Sequence, residues 1–350
     1  MTGMPAGERY LSELREQPAA IERLADRADQ VAAIAARASE ARLVRLVAHG
    51  SSDNAAAYGV YAFSLLAGLT AFRESISLLT YYGTAPDLRD SLVVAVSQSG
   101  RTPDVVDYVE AARGRAVLTV AVTNDASSPL AEAADAVVPL EAGPELAVAA
   151  TKTYSSSLAS LALLAGALGS RLSQTADGLR RSAALIDDAI PGLEREVAGT
   201  AALVQATGQL VVIGRGVEFA TAREIALKLS ETCQLLAEPL TSTALAHGPV
   251  ARLGPGSPVW VVASDDPCLP SALEAAARAR QAGAPLIASG GACDRVAGAG
   301  IRLRTPAAPL PILAPMISVV PGQLFAWALA LARGLDPDRP AGLSKVTVVP

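Results

Sequence analysis

A strand-like run in the first half of the chain is followed by four side chains that can donate hydrogen bonds to a ligand. They are Ser97, Gln98, Ser99 and Thr102. The apolar, β-branched residues 92–96 predict a buried parallel strand. Thr102-Pro103-Asp104 predicts a helix start, with a hydroxyl at the N-cap, proline at the first helical position and an acid in the first turn. Because helix N-termini favour negative charge, we expect this turn to bind an anion.

The kind of anion follows from what the turn does not contain. Loops that hold nucleotide triphosphates end in Gly-Lys-Ser or Gly-Lys-Thr, and no lysine stands in residues 97–104. The donors therefore suit a phosphate monoester on a small molecule better than a nucleotide. The alternative interpretation is an ordinary strand-to-helix turn, and the local pattern alone does not separate the two.

A second group of charged residues lies on one predicted helix. Glu224, Lys228 and Glu231 are spaced i, i+4 and i+7 and so share one helix face. By itself this spacing favours a solvated stripe of ion pairs. His247, one of two histidines, lies in a loop without amphipathic pattern. Histidine is the side chain that most readily gains and loses a proton near neutral pH, which suits proton transfer. Neither histidine has a second histidine or cysteine at the spacing of metal ligands, so no metal is implied.

Composition limits the class of protein. The chain has 350 residues, 51% of them hydrophobic and 18% charged, with a formal net charge of −5. Its length favours two domains, and its scattered basic residues argue against a nucleic-acid partner. Three widely spaced cysteines and an N-terminus without an apolar signal region predict a cytoplasmic location. Residues 305–332 carry no charge but contain five prolines, so we expect a buried helix starting near Pro321 and no membrane partner.

Strands alternate with helices along the whole chain, which predicts an α/β fold with parallel sheets. Helix is expected over residues 8–39 with an interruption at Pro18, and strands over 41–48, 70–76, 92–96, 116–122 and 136–140. The pattern is then repeated from residue 209 onward, which predicts two tandem doubly wound domains. The second copy has Ser264-Asp265-Asp266-Pro267 where the first has Ser97-Gln98-Ser99-Gly100. Two carboxylates would repel a phosphate, so the phosphate site is predicted in the first copy only.

This arrangement resembles the tandem sugar isomerase (SIS) domain family. It is most similar to the isomerase half of glucosamine-6-phosphate synthase and to the stand-alone deaminases of that family. The resemblance rests on seven short motifs in the same order. They are Glu16-Gln17-Pro18, Gly50-Ser51-Ser52-Asp53-Asn54, Ser97-Gln98-Ser99-Gly100, Ala149-Ala150-Thr151-Lys152, Ala226-Leu227-Lys228-Leu229-Ser230-Glu231, His247-Gly248-Pro249 and Gly342-Leu343-Ser344-Lys345.

The resemblance implies a flavodoxin-like domain organisation. N-terminal helices would occupy residues 1–39, the first, phosphate-binding SIS domain residues 40–171, a helical linker residues 172–200, the second SIS domain residues 201–335 and a C-terminal tail residues 336–350. The apolar residues Val346-Thr347-Val348-Val349 predict a packed tail rather than a free one.

The resemblance also implies roles for particular residues. The expected substrate-binding residues are Ser52, Ser97, Gln98, Ser99, Thr102 and Val148, the last through its backbone. The expected catalytic residues are Glu231, His247, Lys345 and Lys228. In these roles Glu231 moves a proton between carbons 1 and 2, and His247 opens the sugar ring from a neighbouring subunit. Lys345 can reach the substrate carbonyl, although a solvated tail lysine is the simpler interpretation.

Four positions depart from the pattern of the synthase. His49 and Ser51 stand where cysteine and threonine are usual, Arg101 replaces a glutamate, and Ala150 replaces a serine that helps to hold the sugar. No cysteine precedes Cys233, so the nucleophile of a glutaminase half is not expected in this chain.

Together these residues predict a glucosamine-6-phosphate deaminase. We expect a homodimer with shared active sites that binds a sugar phosphate and uses no metal or organic cofactor. Two alternatives remain open from the sequence. One is an isomerase, deaminase or deglycase for another amino-sugar or hexose phosphate, and the other is a sugar-phosphate sensor without catalytic activity.

Overall fold

The computed structural model describes residues 4–84 and 86–345. The chain divides into two compact units. The N unit comprises residues 19–145, 152–180 and 344–345, and the C unit comprises residues 4–18, 146–151 and 181–343. The expectation that residues 346–349 pack as a tail lies outside the described residues.

Three short helices precede the first strand. They are α1 (Glu8–Arg15), α2 (Gln17–Ala25) and α3 (Ala28–Arg37). The predicted interruption at the Glu16-Gln17-Pro18 motif is confirmed, but the break lies at Glu16 and Pro18 is the second residue of α2. A proline is tolerated in the first turn of a helix, where its missing N–H would have no intrahelical partner. A second break, which was not predicted, lies at residues 26–27.

The N unit is built on a five-stranded parallel sheet. Its strands are β1 (Leu43–Ala48), β2 (Thr70–Arg73), β3 (Ser91–Val96), β4 (Leu118–Thr123) and β5 (Ala136–Pro139). The strand order is β2-β1-β3-β4-β5. Its helices are α4 (Gly50–Ala67), α5 (Ser77–Thr80), α6 (Pro103–Ala112), α7 (Pro129–Ala133) and α8 (Lys152–Leu168). Every residue of β3 and β4 is buried, as expected for strands covered on both faces.

Residues Leu172–Thr200 form one helix, α9, that continues through Pro191. The C unit then repeats the sheet. Its strands are β6 (Gln209–Ile213), β7 (Leu236–Leu240), β8 (Val259–Val262), β9 (Leu286–Gly290) and β10 (Ile301–Arg304). Their order is β10-β9-β8-β6-β7, all parallel. Its helices are α10 (Glu218–Cys233), α11 (Ser242–Ala246), α12 (Leu269–Gln281), α13 (Ala314–Ser318) and α14 (Val320–Ala332).

The predicted fold class is confirmed. Both sheets have the flavodoxin-like order, in which the direction of strand addition reverses beside the first strand of each unit. Such a reversal leaves a crevice at the carboxyl ends of two neighbouring strands, where doubly wound proteins bind their ligands. In the N unit these strands are β1 and β3, and in the C unit they are β6 and β8.

The uncharged segment before the C-terminus forms a buried core helix. Residues Pro311–Ala332 are long and apolar enough to cross a membrane by length and composition, and 94% of the relevant window is buried. The predicted helix start near Pro321 is confirmed, because α14 begins at Val320. A 3-10 turn (Pro311–Leu313) and the short helix α13 precede it. Pro311, Pro315 and Pro321 each lie in the first turn of a helix, so they start helices there instead of breaking them.

Helix α14 approaches α10 closely at Gly322. A Cβ atom added to Gly322 would lie 2.2 Å from Cγ1 of Ile225. We expect Gly322→Ala to lower the free energy of unfolding in urea by about 1–3 kcal/mol, because it overfills this contact. Gly192 inside α9 is the control, since a Cβ there meets nothing within 4 Å. Gly192→Ala should be neutral or stabilising, and an equal loss in both variants would contradict the close packing of α10 on α14.

Candidate active site

The predicted anion-binding turn is a tight loop between β3 and α6. Gly100 has a φ of +62°, and its N–H donates to both the carbonyl oxygen and the hydroxyl oxygen of Ser97, at 3.2 Å each. The Ser99 hydroxyl accepts a hydrogen bond of 3.3 Å from the backbone N–H of Arg101. The loop is therefore held mainly by its own backbone, and Ser97, Ser99 and Gln98 stand along it.

Thr102 is the N-cap residue of α6, but its hydroxyl does not cap the helix. Its backbone is extended (φ −74°, ψ 113°), and the side chain accepts no hydrogen bond from the first turn. The predicted hydroxyl cap is therefore wrong. The Thr102 hydroxyl lies instead 3.4 Å from the Ser97 hydroxyl, so the two hydroxyls face one another across the loop.

Two helices begin side by side at this point of the sheet. Strands β1 and β3 are neighbours, with Ala48 opposite Val96, so α4 and α6 start at adjacent strand ends. Ser52 lies in the first turn of α4. His49, the N-cap residue of α4, places Nε2 2.7 Å from Oδ2 of Asp104 in the first turn of α6. The structure thus brings Ser52, Ser97, Gln98, Ser99 and Thr102 to one crevice with two helix N-termini.

Arg101 lies at the exposed rim of the loop, where the synthase pattern has glutamate. Its guanidinium forms an ion pair of 3.0 Å with Asp125. The hydroxyl and backbone N–H of Ser127, together with Arg101, hold the pKa of Asp125 below its usual value. The rim therefore carries an Arg101–Asp125 ion pair where the family pattern has a glutamate.

Lys345 is paired with a buried carboxylate that the sequence analysis did not single out. Its Nζ lies 2.6 Å from Oε2 of Glu145. Glu145 also accepts hydrogen bonds from the backbone N–H of Thr153 at 3.1 Å and from its hydroxyl at 2.7 Å. Lys345 is thus anchored in the N unit and is not a solvated tail lysine. The only sequence signal for its partner was an isolated acid four residues before Ala149-Ala150-Thr151-Lys152.

Removing the charge of Glu145 should release Lys345. A hydrogen bond to a charged group contributes about 1.5–3 kcal/mol. We therefore expect Glu145→Gln to speed the modification of Lys345 by an amine-selective reagent about tenfold, as measured by peptide mass spectrometry. The matched control is Glu141→Gln, which removes a carboxylate paired with Arg27 at 2.8 Å in the same stretch of chain. Equal reactivity of Lys345 in both variants would show that Glu145 does not hold it.

In the C unit, α10 carries the predicted base and its neighbours. Nζ of Lys228 lies 2.5 Å from Oε2 of Glu231 and 3.5 Å from Oε1 of Glu224. The side chains of Lys228 and Glu224 are 1% and 0% exposed, whereas that of Glu231 is 23% exposed. A solvated stripe is therefore the wrong interpretation, because α10 packs against β6, β7 and α14.

This arrangement suits proton transfer at Glu231. The ammonium of Lys228 pairs with both carboxylates and fixes the orientation of Glu231 by a charge-assisted hydrogen bond. Of the three groups, only Glu231 reaches solvent. A carboxylate that is hydrogen bonded to a buried ammonium and is still partly exposed to solvent can take a proton from a ligand and return it.

His247 lies at an exposed turn of the C unit. It is the C-cap residue of α11, and Gly248 follows with a φ of +135°. Within residues 4–84 and 86–345, no side chain forms a hydrogen bond or ion pair with its ring. The structure therefore leaves the imidazole open to a ligand or to another chain.

Val148 belongs to a segment that buried polar groups hold in place. Its N–H donates to the carbonyl oxygen of Asp338 at 3.1 Å. The buried Glu13 carboxylate accepts hydrogen bonds from the N–H groups of Leu146, at 2.5 Å, and Ala147, at 3.1 Å. Glu13 was not among the residues expected from the sequence, because its partners lie more than a hundred residues away. The only indication of Glu13 in the sequence was its position four residues before Gln17 of the Glu16-Gln17-Pro18 motif.

The predicted residues divide between the two units. The N unit brings together the five side-chain donors of the crevice and separately holds Lys345. The C unit holds the Lys228–Glu231 pair, His247 and the segment with Val148. In the described part of the chain, no three histidine, cysteine or carboxylate side chains cluster so as to hold a metal ion.

Comparison with known families agrees with this fold. The profile of the SIS domain family matches residues 39–167 and residues 202–333. The two matched segments contain the two sheets and make up most of the chain. The protein belongs to the SIS domain family.

Among curated proteins, the chain is similar to an isomerising glutamine–fructose-6-phosphate aminotransferase from Methanothermobacter thermautotrophicus, with 32% identity over 97% of this chain and 57% of the relative. The chain thus spans little more than half the length of the curated relatives it matches.

Two solved structures resemble nearly the whole chain. The C-terminal domain of the glucosamine-fructose-6-phosphate aminotransferase from Francisella tularensis has a TM-score of 0.87 and 25% identity, covering 95% of this chain and 98% of that one. A candidate phosphosugar isomerase from Silicibacter pomeroyi has a TM-score of 0.84 and 34% identity, covering 94% and 99%.

Proposed function

We propose that the protein is a sugar-phosphate isomerase of the deaminating type, which converts glucosamine 6-phosphate and water into fructose 6-phosphate and ammonia. The observation that carries the proposal is the Lys228–Glu231 pair, a buried ammonium that fixes one partly exposed carboxylate. Membership of the SIS family and the similarity to aminotransferase and isomerase domains support the substrate class.

The crevice of the N unit binds the phosphate in this proposal. Ser97, Ser99 and Thr102 donate hydroxyl hydrogen bonds, Gln98 donates its amide and Ser52 adds a hydroxyl from α4. The first N–H groups of α4 and α6 and their dipoles favour the phosphate dianion. The backbone of Val148 contacts the sugar.

The chemistry needs one proton to move between neighbouring carbons. His247 opens the sugar ring by taking the proton of the ring hydroxyl and returning one to the ring oxygen. Glu231 then removes the proton from carbon 2 and gives it to carbon 1 through an enolamine. The product is a ketimine, which water hydrolyses to the ketose phosphate and ammonia. Lys228 holds Glu231 in place, and Lys345 reaches the substrate carbonyl once Glu145 releases it.

A different sugar phosphate is the second candidate substrate. The Arg101–Asp125 ion pair lies at the rim where the family pattern has a glutamate, and Ala150 lacks the hydroxyl that helps to hold the sugar. Both changes lie where selectivity among amino-sugar and hexose phosphates would be set. They favour an isomerase, deaminase or deglycase for a related sugar as the alternative to glucosamine 6-phosphate.

The deciding experiment measures ammonia and fructose 6-phosphate released from glucosamine 6-phosphate by the purified protein. Equal amounts of both products support the deaminase. If neither appears but sugar phosphates still raise the melting temperature, the protein acts on another sugar phosphate or is a sensor. If no sugar phosphate changes the melting temperature, the proposed substrate class is wrong.

We further propose a cytoplasmic homodimer in which His247 serves the active site of the other subunit. The exposed ring of His247 supports this assignment. Mixing Glu231→Gln chains with His247→Ala chains should restore activity, since one site in each mixed dimer then has both residues. No recovery, although mixed dimers form, would place His247 in the site of its own chain. A fully active monomer in sedimentation would contradict the dimer.

A further inference from the structure

The C unit contains a cavity that the proposed reaction does not use. It has a volume of about 210 Å³ and lies at the carboxyl ends of β8, β9 and β10, next to α13. Its lining includes Ser264, Asp265, Thr305, Pro306, Ile317 and Ser318. This is the edge at which parallel sheets bind ligands, and the equivalent edge of the N unit carries the loop of residues 97–102.

The cavity has the size of one small ring. Pockets for drug-sized ligands measure about 300–1,000 Å³, so a cavity of 210 Å³ suits a smaller molecule. The backbone beside the cavity is closely packed, because Gly290, with a φ of +104°, brings the end of β9 against the turn after β8. A Cβ at Gly290 would lie 2.3 Å from the carbonyl oxygen of Ala263.

A network of hydroxyl groups and one buried acid forms part of its wall. Ser264 and Ser318 line the cavity, and both hydrogen bond to the carboxyl group of Glu218, Ser318 at 2.7 Å. Thr221 donates to the same carboxyl group at 2.6 Å. Burial raises the pKa of Glu218, and the hydrogen bonds from the three hydroxyl groups oppose that rise. Because Ser264 and Ser318 donate their hydroxyl hydrogens to Glu218, their oxygen lone pairs can accept hydrogen bonds from a ligand in the cavity.

The charges of the lining exclude an anion. Among the described residues, no lysine or arginine lines the cavity, and Asp265 adds a carboxylate at its edge. Arg295 lies 3.7 Å from Asp265, so this carboxylate is already paired and attracts a cation only weakly. Pro306, Pro311 and Ile317 give the remaining wall an apolar surface.

We propose that this cavity binds an uncharged monosaccharide without a phosphate group. Hydroxyl groups of such a ring would meet Ser264, Thr305 and Ser318, and its C–H face would pack on Pro306, Pro311 and Ile317. Each of the two repeated domains then has a sugar site at the same edge of its sheet. The loop Ser97-Gln98-Ser99-Gly100 binds a phosphate group, whereas the equivalent loop Ser264-Asp265-Asp266-Pro267 binds the hydroxyl groups of an uncharged sugar.

The test titrates D-glucose, D-fructose and D-galactose onto the full chain and follows binding by saturation-transfer NMR. At least one sugar should bind saturably. Ala308→Phe fills the cavity and should lower its affinity at least tenfold, whereas Ala297→Phe, at an exposed position outside the lining, should not. Thr305→Val removes one hydroxyl at constant volume and should weaken binding several-fold, which tests the site even if Ala308→Phe does not fold.

Two results would overturn the proposal. One is the absence of binding by all three sugars, and the other is binding that neither Ala308→Phe nor Thr305→Val weakens. Binding of glucosamine 6-phosphate, measured in the same variants, should stay unchanged, because its phosphate is assigned to the N unit. If the cavity binds no sugar, the proposed deaminase reaction is unaffected. If the protein is not a deaminase, the sugar-binding experiment still tests the cavity.

Discussion

Replacing Glu231 by glutamine should remove most of the turnover of glucosamine 6-phosphate while leaving its binding almost unchanged. Glutamine fills the same space and still hydrogen bonds to Lys228, but it cannot accept and return a proton. A positioned general acid–base group contributes about 10²–10⁴-fold to the rate. We therefore expect kcat to fall by about that factor. The dissociation constant for fructose 6-phosphate should change less than threefold. This combination is typical of a variant that has lost proton transfer but still binds its ligand.

The control for this variant is Glu274→Gln on α12. Glu274 pairs with Arg278 at 2.6 Å with the helical spacing i, i+4, but both side chains are exposed. Its loss should change neither kcat nor the melting temperature beyond the small contribution of a surface ion pair. If Glu231→Gln keeps full turnover, the base lies elsewhere, and the Lys228–Glu231 pair has only a structural role.

These two glutamates also show where sequence reasoning reaches its limit. Both belong to ion pairs with nearly the same helical spacing, and spacing alone favours a solvated stripe for each. Burial of Lys228 and Glu224 depends on what packs against α10, including the close approach of Gly322 from almost a hundred residues further along the chain. Local periodicity contains no information on that contact.

The first sheet followed more directly from the sequence, because its buried strands are short runs rich in β-branched and other apolar residues. Strands β1, β3 and β4 could be placed within a few residues for this reason. Strand β7 could not, since Glu238 and Pro239 interrupt it and it lies exposed at the sheet edge, where a proline is tolerated.

Long-range polar contacts were the other feature beyond reach. Lys345 and Glu145 are 200 residues apart, and Glu13 meets Ala147 across 134 residues. No single-sequence pattern pairs a carboxylate with a partner at that separation. The resemblance to a family supplied Lys345 as a candidate, but only the three-dimensional structure shows which group holds it.

Replacing Gly100 by alanine should have the largest effect of any change in the phosphate crevice. Its φ of +62° is unfavourable for alanine by about 1–2 kcal/mol. An added Cβ would also lie 2.1 Å from the hydroxyl oxygen of Ser128 and 2.5 Å from its Cβ. Ser128 caps α7 by accepting a hydrogen bond from the N–H of Ala131, and losing such a cap costs about 0.5–2 kcal/mol.

The measurement combines thermal unfolding with the dissociation constant for fructose 6-phosphate. Gly114→Ala is the matched control, because Gly114 has a φ of +73° but a Cβ there meets nothing within 4 Å. The control should lose stability only through its backbone conformation and should keep its affinity. Gly100→Ala should lose more stability and at least tenfold in affinity, because Ser97, Ser99 and Thr102 depend on the backbone turn that Gly100 makes. Equal losses in the two variants would mean that the clash with Ser128 is relieved without moving the loop, and the crevice would then tolerate a side chain at its centre.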